Sequence, residues 1–347
     1  MSQIRLGVIG CGYWGPNLVR NFVELKDSDV VIAADLDSSR LAAVRTRYRG
    51  LITTTDYHDL FASKLDAVVV ATPPTTHYPI ARDCLEHGLH TLIEKPMTLN
   101  SHDAENLVEL AAHKKLILMV GHTFEYNPAV RALKEIIDSG ALGEIYYVDA
   151  VRVNLGLFQR QSNVIWDLAP HDVSILRYVL GAEPVEVSAC GSAYILPGVV
   201  DLAYIYLRFP NDVMAHLHVS WLNPNKVRQI TVVGSDKMLV YDDLEPLEKI
   251  RIYDKGVDKL PYTDTFGDFQ LSYRYGDITI PRINVTEPLR IECQHFIDCI
   301  ANGTRPQTSG YDGLQVVNIL ELAERSLDNT HGPGGSIPVY PVSHIPD

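Results

Sequence analysis

The chain has 347 residues, 46% of them apolar and 21% charged, a globular balance that argues against a disordered or fibrous protein. Acidic residues number 43 against 30 basic ones, and the formal charge of -13 disfavours nucleic acid and anionic membrane surfaces as partners. The length predicts about two domains.

In chain order, short β-branched apolar runs alternate with longer mixed segments up to about residue 121. The runs are Ile4–Ile9, Val30–Ala34, Ala67–Ala71, Thr91–Ile93 and Leu116–Val120. They lack polar alternation, as strands buried on both faces do. The segments between them have helical spacing, as in Ala104, Leu107, Val108, Ala111 and Ala112. This alternation predicts a parallel sheet with right-handed crossovers. Beyond residue 122 the pattern changes. Helices are expected over 129–137, 168–180, 289–300 and 314–327. Strands are expected over 145–153, 185–193, 201–209, 212–220, 227–233 and 237–241. Short turns between these strands predict an antiparallel sheet. Residues 254–286 read as a long loop or arm, and the last twenty as an extended tail. The predicted division is 1–121 and 122–347.

The five cysteines, Cys11, Cys84, Cys190, Cys293 and Cys299, are widely spaced with no CxxC pair, which fits reduced thiols in a cytoplasm. Gly7 and Gly10 interrupt the first apolar stretch, so it does not read as a signal-peptide core. No apolar run approaches the ~18 residues that would predict a membrane span. A soluble, cytoplasmic protein is expected.

The strongest local motif is Gly10-Cys11-Gly12-Tyr13-Trp14-Gly15, a GxGxxG after a strand and before a helix. Gly10 permits a tight turn, Gly12 lets backbone approach a pyrophosphate, and Gly15 lets helix and strand pack closely. The helix N-terminus then faces the phosphates. Asp35, 20 residues beyond Gly15, is placed to accept hydrogen bonds from an adenosine ribose. Its charge would repel a 2′-phosphate, favouring NAD over NADP, although Arg40 could swing toward such a phosphate. Thr72-Pro73-Pro74-Thr75-Thr76-His77 follows another strand at the carboxyl edge, where ligands bind in such sheets. It could cover the nicotinamide, or serve as a rigid turn with His77 structural.

Glu94-Lys95-Pro96 follows the next strand. A lone Lys is ordinarily a solvated charge, but a lysine at this edge of a dinucleotide fold can point at the nicotinamide side. A cis Lys95–Pro96 bond is one option there. Further on, Trp166-Asp167-Leu168-Ala169-Pro170-His171-Asp172 places Asp167 and His171 four apart, on one face of a helix. Pro170 fits only the first helical turn, so Asp167 should sit near the N-cap. The bland reading is a helix cap plus a satisfied core histidine. With a dinucleotide fold upstream, a carboxylate beside an imidazole can instead relay a proton from a substrate hydroxyl.

Together these clusters resemble the Gfo/Idh/MocA oxidoreductases, the glucose-fructose oxidoreductase and inositol dehydrogenase group. The resemblance spans nearly the whole chain. It adds Gly121-His122, Glu287-Pro288-Leu289, and Pro306 with Thr308-Ser309-Gly310-Tyr311-Asp312-Gly313. It implies an α/β Rossmann domain followed by an α+β domain built on a large, mostly antiparallel sheet. It also implies hydride exchange between nicotinamide and a sugar or polyol carbinol, with Lys95, Asp167 and His171 as the catalytic group. Gly10, Gly12, Tyr13, Trp14, Gly15, Asp35, Thr72, Pro73, His77, Glu94 and Lys95 are the expected cofactor contacts. Tyr126, Asn127, Arg152, Asn154 and Trp166 join the catalytic group as expected substrate contacts. The usual Gly-Gly before the Asp is missing, and Ala169 stands where a Gly is common. The Ile165–Asp172 version looks most like members that handle nucleotide-linked amino sugars.

Three functions stay open. The first is oxidation at C3 of a UDP-linked amino sugar, with Arg152, Arg160 or Arg177 meeting the diphosphate. The second is a free inositol or monosaccharide dehydrogenase, or a ketosugar reductase of deoxysugar assembly. The third is an NAD-binding regulator without turnover. No metal site is expected: His216 and His218 share a strand face but have no third ligand in view. The one-sided antiparallel sheet predicts a homodimer or homotetramer packed through its open face.

Overall fold

The computed structural model describes residues 3–156, 158, 162–259, 271–284, 286–328 and 337–340. The first elements are β1 (Ile4–Ile9), α1 (Gly15–Glu24), β2 (Ser28–Ala34), α2 (Ser38–Arg47) and β3 (Ile52–Thr54). They continue with β4 (Ala67–Val70), α3 (His77–Glu86), β5 (His90–Glu94), α4 (Ser101–Lys114) and β6 (Leu118–Gly121). Then come α5 (Pro128–Asp138), β7 (Ile145–Val153), α6 (Val164–Leu180), β8 (Glu186–Ser192), β9 (Leu202–Arg208) and β10 (Met214–Ser220). The rest are β11 (Val227–Gly234), β12 (Met238–Asp242), β13 (Ile250–Lys259), β14 (Leu271–Thr279), α7 (Pro288–Asn302), α8 (Gly310–Asp328) and β15 (Ile337–Pro338).

Two compact units result. The first holds the residues up to Tyr126 together with Thr286–Glu321. Its six strands are parallel, in the order β3-β2-β1-β4-β5-β6. The order reverses beside β1, and loops leaving the strands' carboxyl ends there form the usual ligand edge of a doubly wound sheet. Central strand β4 is Ala-Val-Val-Val and wholly buried, as a strand covered on both faces must be.

A contiguous division at residue 121 differs from these units, because the chain returns to the first one through α7. Leu289, Cys293, Phe296 and Ile297 of α7 join the core around Leu18 and Phe22 of α1. The rings of Phe22 and Phe296 meet edge to face at 6.4 Å. Glu287 heads α7 and accepts from Arg20 and Asn21 of α1, which gives the Glu287-Pro288-Leu289 motif its structural task. Gly310 and Gly313 have a similar one. Cβ atoms there would stand 2.6 Å from Leu118 Cδ2 and 2.5 Å from Val120 Cγ2, so the start of α8 lies tightly on β6.

The second unit holds Asn127–Val285 and Leu322–Tyr340. Its nine strands run β14-β13-β12-β11-β7-β10-β9-β8-β15. All neighbours are antiparallel except β7 and β10. Inward positions such as Val148, Ala150, Leu217 and Ile230 are buried, and α5 and α6 belong to the same unit. Residues 254–259 and 271–279, expected as loop, are strand. Alternation was not legible there because both faces of this hairpin are exposed or half-buried over most of its length. Of the expected tail, only 337–340 are described, and Ile337–Pro338 adds a short edge strand to β8. Among the described residues, no helix is long and apolar enough to cross a membrane.

Candidate active site

In the first unit the glycine turn is shaped by close backbone approach. Gly10 has φ +98°, and a Cβ there would lie 2.4 Å from the Ala71 carbonyl oxygen. A Cβ on Gly15 would lie 1.9 Å from the Gly10 oxygen. These two glycines let the end of β1, the start of α1 and the loop after β4 converge. Gly12 differs: its Cβ position is open, with only Arg40 Nη1 nearby, at 3.7 Å. Backbone that bare, beside the start of a helix, fits a pyrophosphate. Tyr13 is 85% exposed and packs edge to face on Trp14 at the mouth of the turn.

Asp35 directly follows β2, with both carboxylate oxygens aimed by backbone amides. Oδ2 accepts from Cys11 N at 2.6 Å and Oδ1 from Asp37 N at 2.8 Å. The acid therefore ties the glycine turn to the start of α2, with lone pairs remaining for ribose hydroxyls. Arg40 is mostly exposed and lies 3.7 Å from Asp35 and 3.5 Å from Asp37, countered by both acids. Cys11 is buried filler, its thiol pushed up to about 11 by burial and the Asp35 charge. The residues present fit a dinucleotide with an unphosphorylated ribose.

Behind the ligand edge, His77 is 1% exposed. Its Nδ1 lies 2.8 Å from the Pro96 oxygen and its Nε2 2.8 Å from the Thr72 oxygen. It therefore supports the site from within, joining the Thr72 loop to the turn after Lys95. Burial pushes its pKa down, against the two carbonyls, which favour a ring protonated at both nitrogens. Thr76 donates to the Thr72 hydroxyl at 2.9 Å and stiffens the same loop beside Pro73. The Lys95–Pro96 peptide is cis. Lys95 is half-buried next to Glu94.

Glu94 packs against Gly121, where a Cβ would stand 3.2 Å from its Oε2. Burial pushes the Glu94 carboxyl up to about 7, against the opposing pull of the Lys95 charge. Glu292 of α7 is fully buried and bonded to the Thr123 hydroxyl at 2.7 Å; burial, then the charge of Glu94, raises its pKa well above the carboxylate range. A raised acid binds its proton more tightly folded than unfolded. Its stabilisation is complete below about 4.5 and lost as pH rises through about 7. Urea unfolding at about pH 5 and about pH 8 should show Glu94→Gln flattening this loss by up to roughly 3 kcal/mol. An unchanged pH dependence would remove Glu94 as its source.

In the second unit, α6 begins four residues earlier than the sequence pattern indicated. Asn163 is the N-cap, accepting from the Ile165 and Trp166 amides at 3.0 and 3.2 Å. Asp167 thus lies in the first turn and Pro170 inside the helix, where its missing N–H forgoes one intrahelical bond. Glu324 of α8 fastens this end, accepting from Asn163 at 2.6 Å and from Trp166 Nε1 at 3.0 Å. Trp166 is buried and occupied there. Asp167 Oδ2 accepts from Trp221 Nε1 at 2.9 Å, a partner with no sequence signal. His171 is half-buried one turn further on.

Several of the residues expected to meet substrate have internal partners. Arg152 is buried and forms a two-pronged ion pair with Asp172, both contacts 2.8 Å. Arg177 is bonded to Glu183 at 2.7 Å. Arg160 lies outside the described residues. Tyr126 is fully buried with its hydroxyl 3.0 Å from Thr308. Asn127 caps α5 through the Ala129 amide at 2.9 Å. Asn154 is half-buried and donates its amide to Ser220 O at 3.1 Å. His216 pairs with Asp149 at 2.7 Å, and Tyr204 stacks on both His216 and His218.

Residues 4–122 match the sequence profile of an oxidoreductase family with an NAD-binding Rossmann fold, and residues 130–240 match the GFO/IDH/MocA C-terminal domain. The chain belongs to the Gfo/Idh/MocA family. It is an NAD-binding sugar oxidoreductase of the CH–OH dehydrogenase type. It is similar to UDP-N-acetylglucosamine 3-dehydrogenase of Acidithiobacillus ferrooxidans, 29% identical over 75% of this chain and 80% of that one. A solved structure of that enzyme has a TM-score of 0.77 at 26% identity, covering 95% of this chain and 99% of the other. Myo-inositol 2-dehydrogenase of Thermotoga maritima is 26% identical over 94% of this chain and 96% of its own. GenD2 from gentamicin A biosynthesis, solved with NAD, shares the fold at TM-score 0.81 and 23% identity, covering 98% of this chain and 97% of that one.

Proposed function

We propose that this Gfo/Idh/MocA enzyme oxidises the C3 hydroxyl of a nucleotide-linked amino sugar. The observation that carries this is the similarity, in sequence and in structure, to UDP-N-acetylglucosamine 3-dehydrogenase. Bound NAD supplies the hydride acceptor. His171 removes the hydroxyl proton, and Lys95 donates a hydrogen bond to the same oxygen and stabilises its developing charge. Asp167 orients the sugar and counters the protonated histidine. With Arg152 paired to the buried Asp172 and Arg177 to Glu183, Arg160 is the remaining one of the three arginines for the diphosphate. A second reading, inositol oxidation, has its own support in the inositol dehydrogenases that match 94% of the chain. Steady-state reduction of NAD with UDP-N-acetylglucosamine against myo-inositol decides between them. A kcat/KM at least about tenfold higher for the UDP-sugar is expected, and preference for inositol would overturn the reading. Tight NAD binding with no turnover on either would favour a regulator.

The reading includes a second copy of the chain on the open sheet face. Neighbouring positions Tyr147 and Met214 of β7 and β10, and Tyr206 of β9, are exposed on adjacent strands. An apolar patch of this kind marks an association surface. Light scattering at micromolar concentration should give a dimer or tetramer; a monomer would contradict it.

A further inference from the structure

Asp167, read above as a catalytic carboxylate, is gripped by a residue 54 positions further along the chain. Trp221 follows β10 directly, is fully buried, and donates its indole N–H to Asp167 Oδ2 at 2.9 Å. The indole has little room to turn away. Its own amide donates to Asp201 O at 2.9 Å, and its carbonyl accepts from Gly156 N at 2.9 Å. The Phe158 ring meets it edge to face at 5.4 Å. Gly156 lies against the indole itself: a Cβ there would stand 2.5 Å from Trp221 Cδ1 and 2.8 Å from Cγ. A side chain at 156 would therefore push the loop off the ring or the ring off Asp167.

We propose that Trp221 is a positioning residue for Asp167, fixing the carboxylate in the orientation the reaction uses. The inference rests on the catalytic reading of Asp167. An indole is a donor only and never an acceptor, so this contact supports the carboxylate and not a carboxylic acid O–H aimed at the ring. A neutral donor also leaves the negative charge of Asp167 in place to counter an imidazolium, which an arginine or lysine at the same point would cancel. A buried, packed partner adds precision, because a misplacement of about 1 Å in a catalytic group can cost on the order of a hundredfold in rate.

The test compares Trp221→Phe, Asp167→Asn and the double variant in the full-length protein. Trp221→Phe keeps an aromatic ring and removes the donor. Its kcat should fall about ten- to hundredfold, with KM for NAD and the unfolding temperature little changed. Asp167→Asn should fall further, and adding Trp221→Phe to it should cost less than in the wild type, since the orientation matters most when the group is the charged carboxylate. A structural role alone would not produce that coupling. In protein labelled with fluorotryptophan, the fluorine resonance that Trp221→Phe removes should also shift in Asp167→Asn. If Trp221→Phe fails to fold, replacing Trp221 with the isosteric benzothienyl-alanine, sulfur for N–H, makes the same measurement. Wild-type kcat in either donor-free variant, or independent multiplying effects in the double variant, would overturn the role of Trp221 while leaving that of Asp167. Full turnover in Asp167→Asn would overturn the catalytic reading, and this inference with it.

Discussion

His171→Ala and Lys95→Ala are each expected to lower turnover by about 100- to 10,000-fold, the usual cost of losing a general base or a charged stabiliser of an oxyanion. NAD affinity should stay near wild type in His171→Ala. That residue sits two turns into α6 of the second unit, whereas the glycine turn and Asp35 belong to the first. Lys95→Ala should weaken NAD binding modestly at most. Lys95→Ala also leaves Glu94 without its neighbouring cation, whose charge now opposes the burial-driven rise in the Glu94 carboxyl's pKa. Single-turnover formation of reduced nicotinamide, with NAD affinity measured separately, distinguishes lost chemistry from lost binding. Near-full turnover in both variants would remove these residues from the chemistry.

Gly15→Ala and Gly12→Ala should separate folding from cofactor binding. At Gly15 a Cβ would overlap the Gly10 carbonyl at 1.9 Å, and backbone must move to admit it. A loss of about 3 kcal/mol in stability is expected, with NAD binding lost alongside. At Gly12 the same methyl meets only the Arg40 guanidinium, at an ordinary 3.7 Å. Stability should stay within about 0.5 kcal/mol. NAD affinity should nevertheless fall at least about tenfold, because the methyl occupies the approach of the pyrophosphate. Calorimetric titration with NAD and thermal unfolding of both variants check this. Wild-type affinity in Gly12→Ala would place the pyrophosphate elsewhere.

The sheet of the first unit was legible because its strands are buried on both faces and read as unbroken β-branched runs. β3 was missed because it is three half-exposed or exposed residues, too short to show a pattern. The glycine turn, Asp35 and the Lys95 turn were legible because each follows a strand at a fixed place. Pro170 has the sequence signature of a first-turn residue, which points the helix start too late, while Asn163, an ordinary N-cap type, carries the actual start of α6. Contacts between residues far apart in the chain left no local trace. Arg152 with Asp172, Trp221 with Asp167, and α7 on α1 are set by packing, so a candidate phosphate-binding arginine turned out to be an internal ion pair. His77 was recognisable as part of a motif but not as the link between two carbonyls 24 residues apart, Thr72 and Pro96.

The central claim is that this chain moves hydride from a sugar carbinol to NAD. Incubating it with NAD and UDP-N-acetylglucosamine deuterated at C3, with hydroxylamine present to trap the ketone, tests that claim at the transferred atom. The account predicts reduced nicotinamide carrying one deuterium on a single face, formed at least about 100-fold more slowly by His171→Ala. Reduced cofactor without deuterium, or no reduction with any UDP-sugar or polyol despite NAD binding, would contradict it.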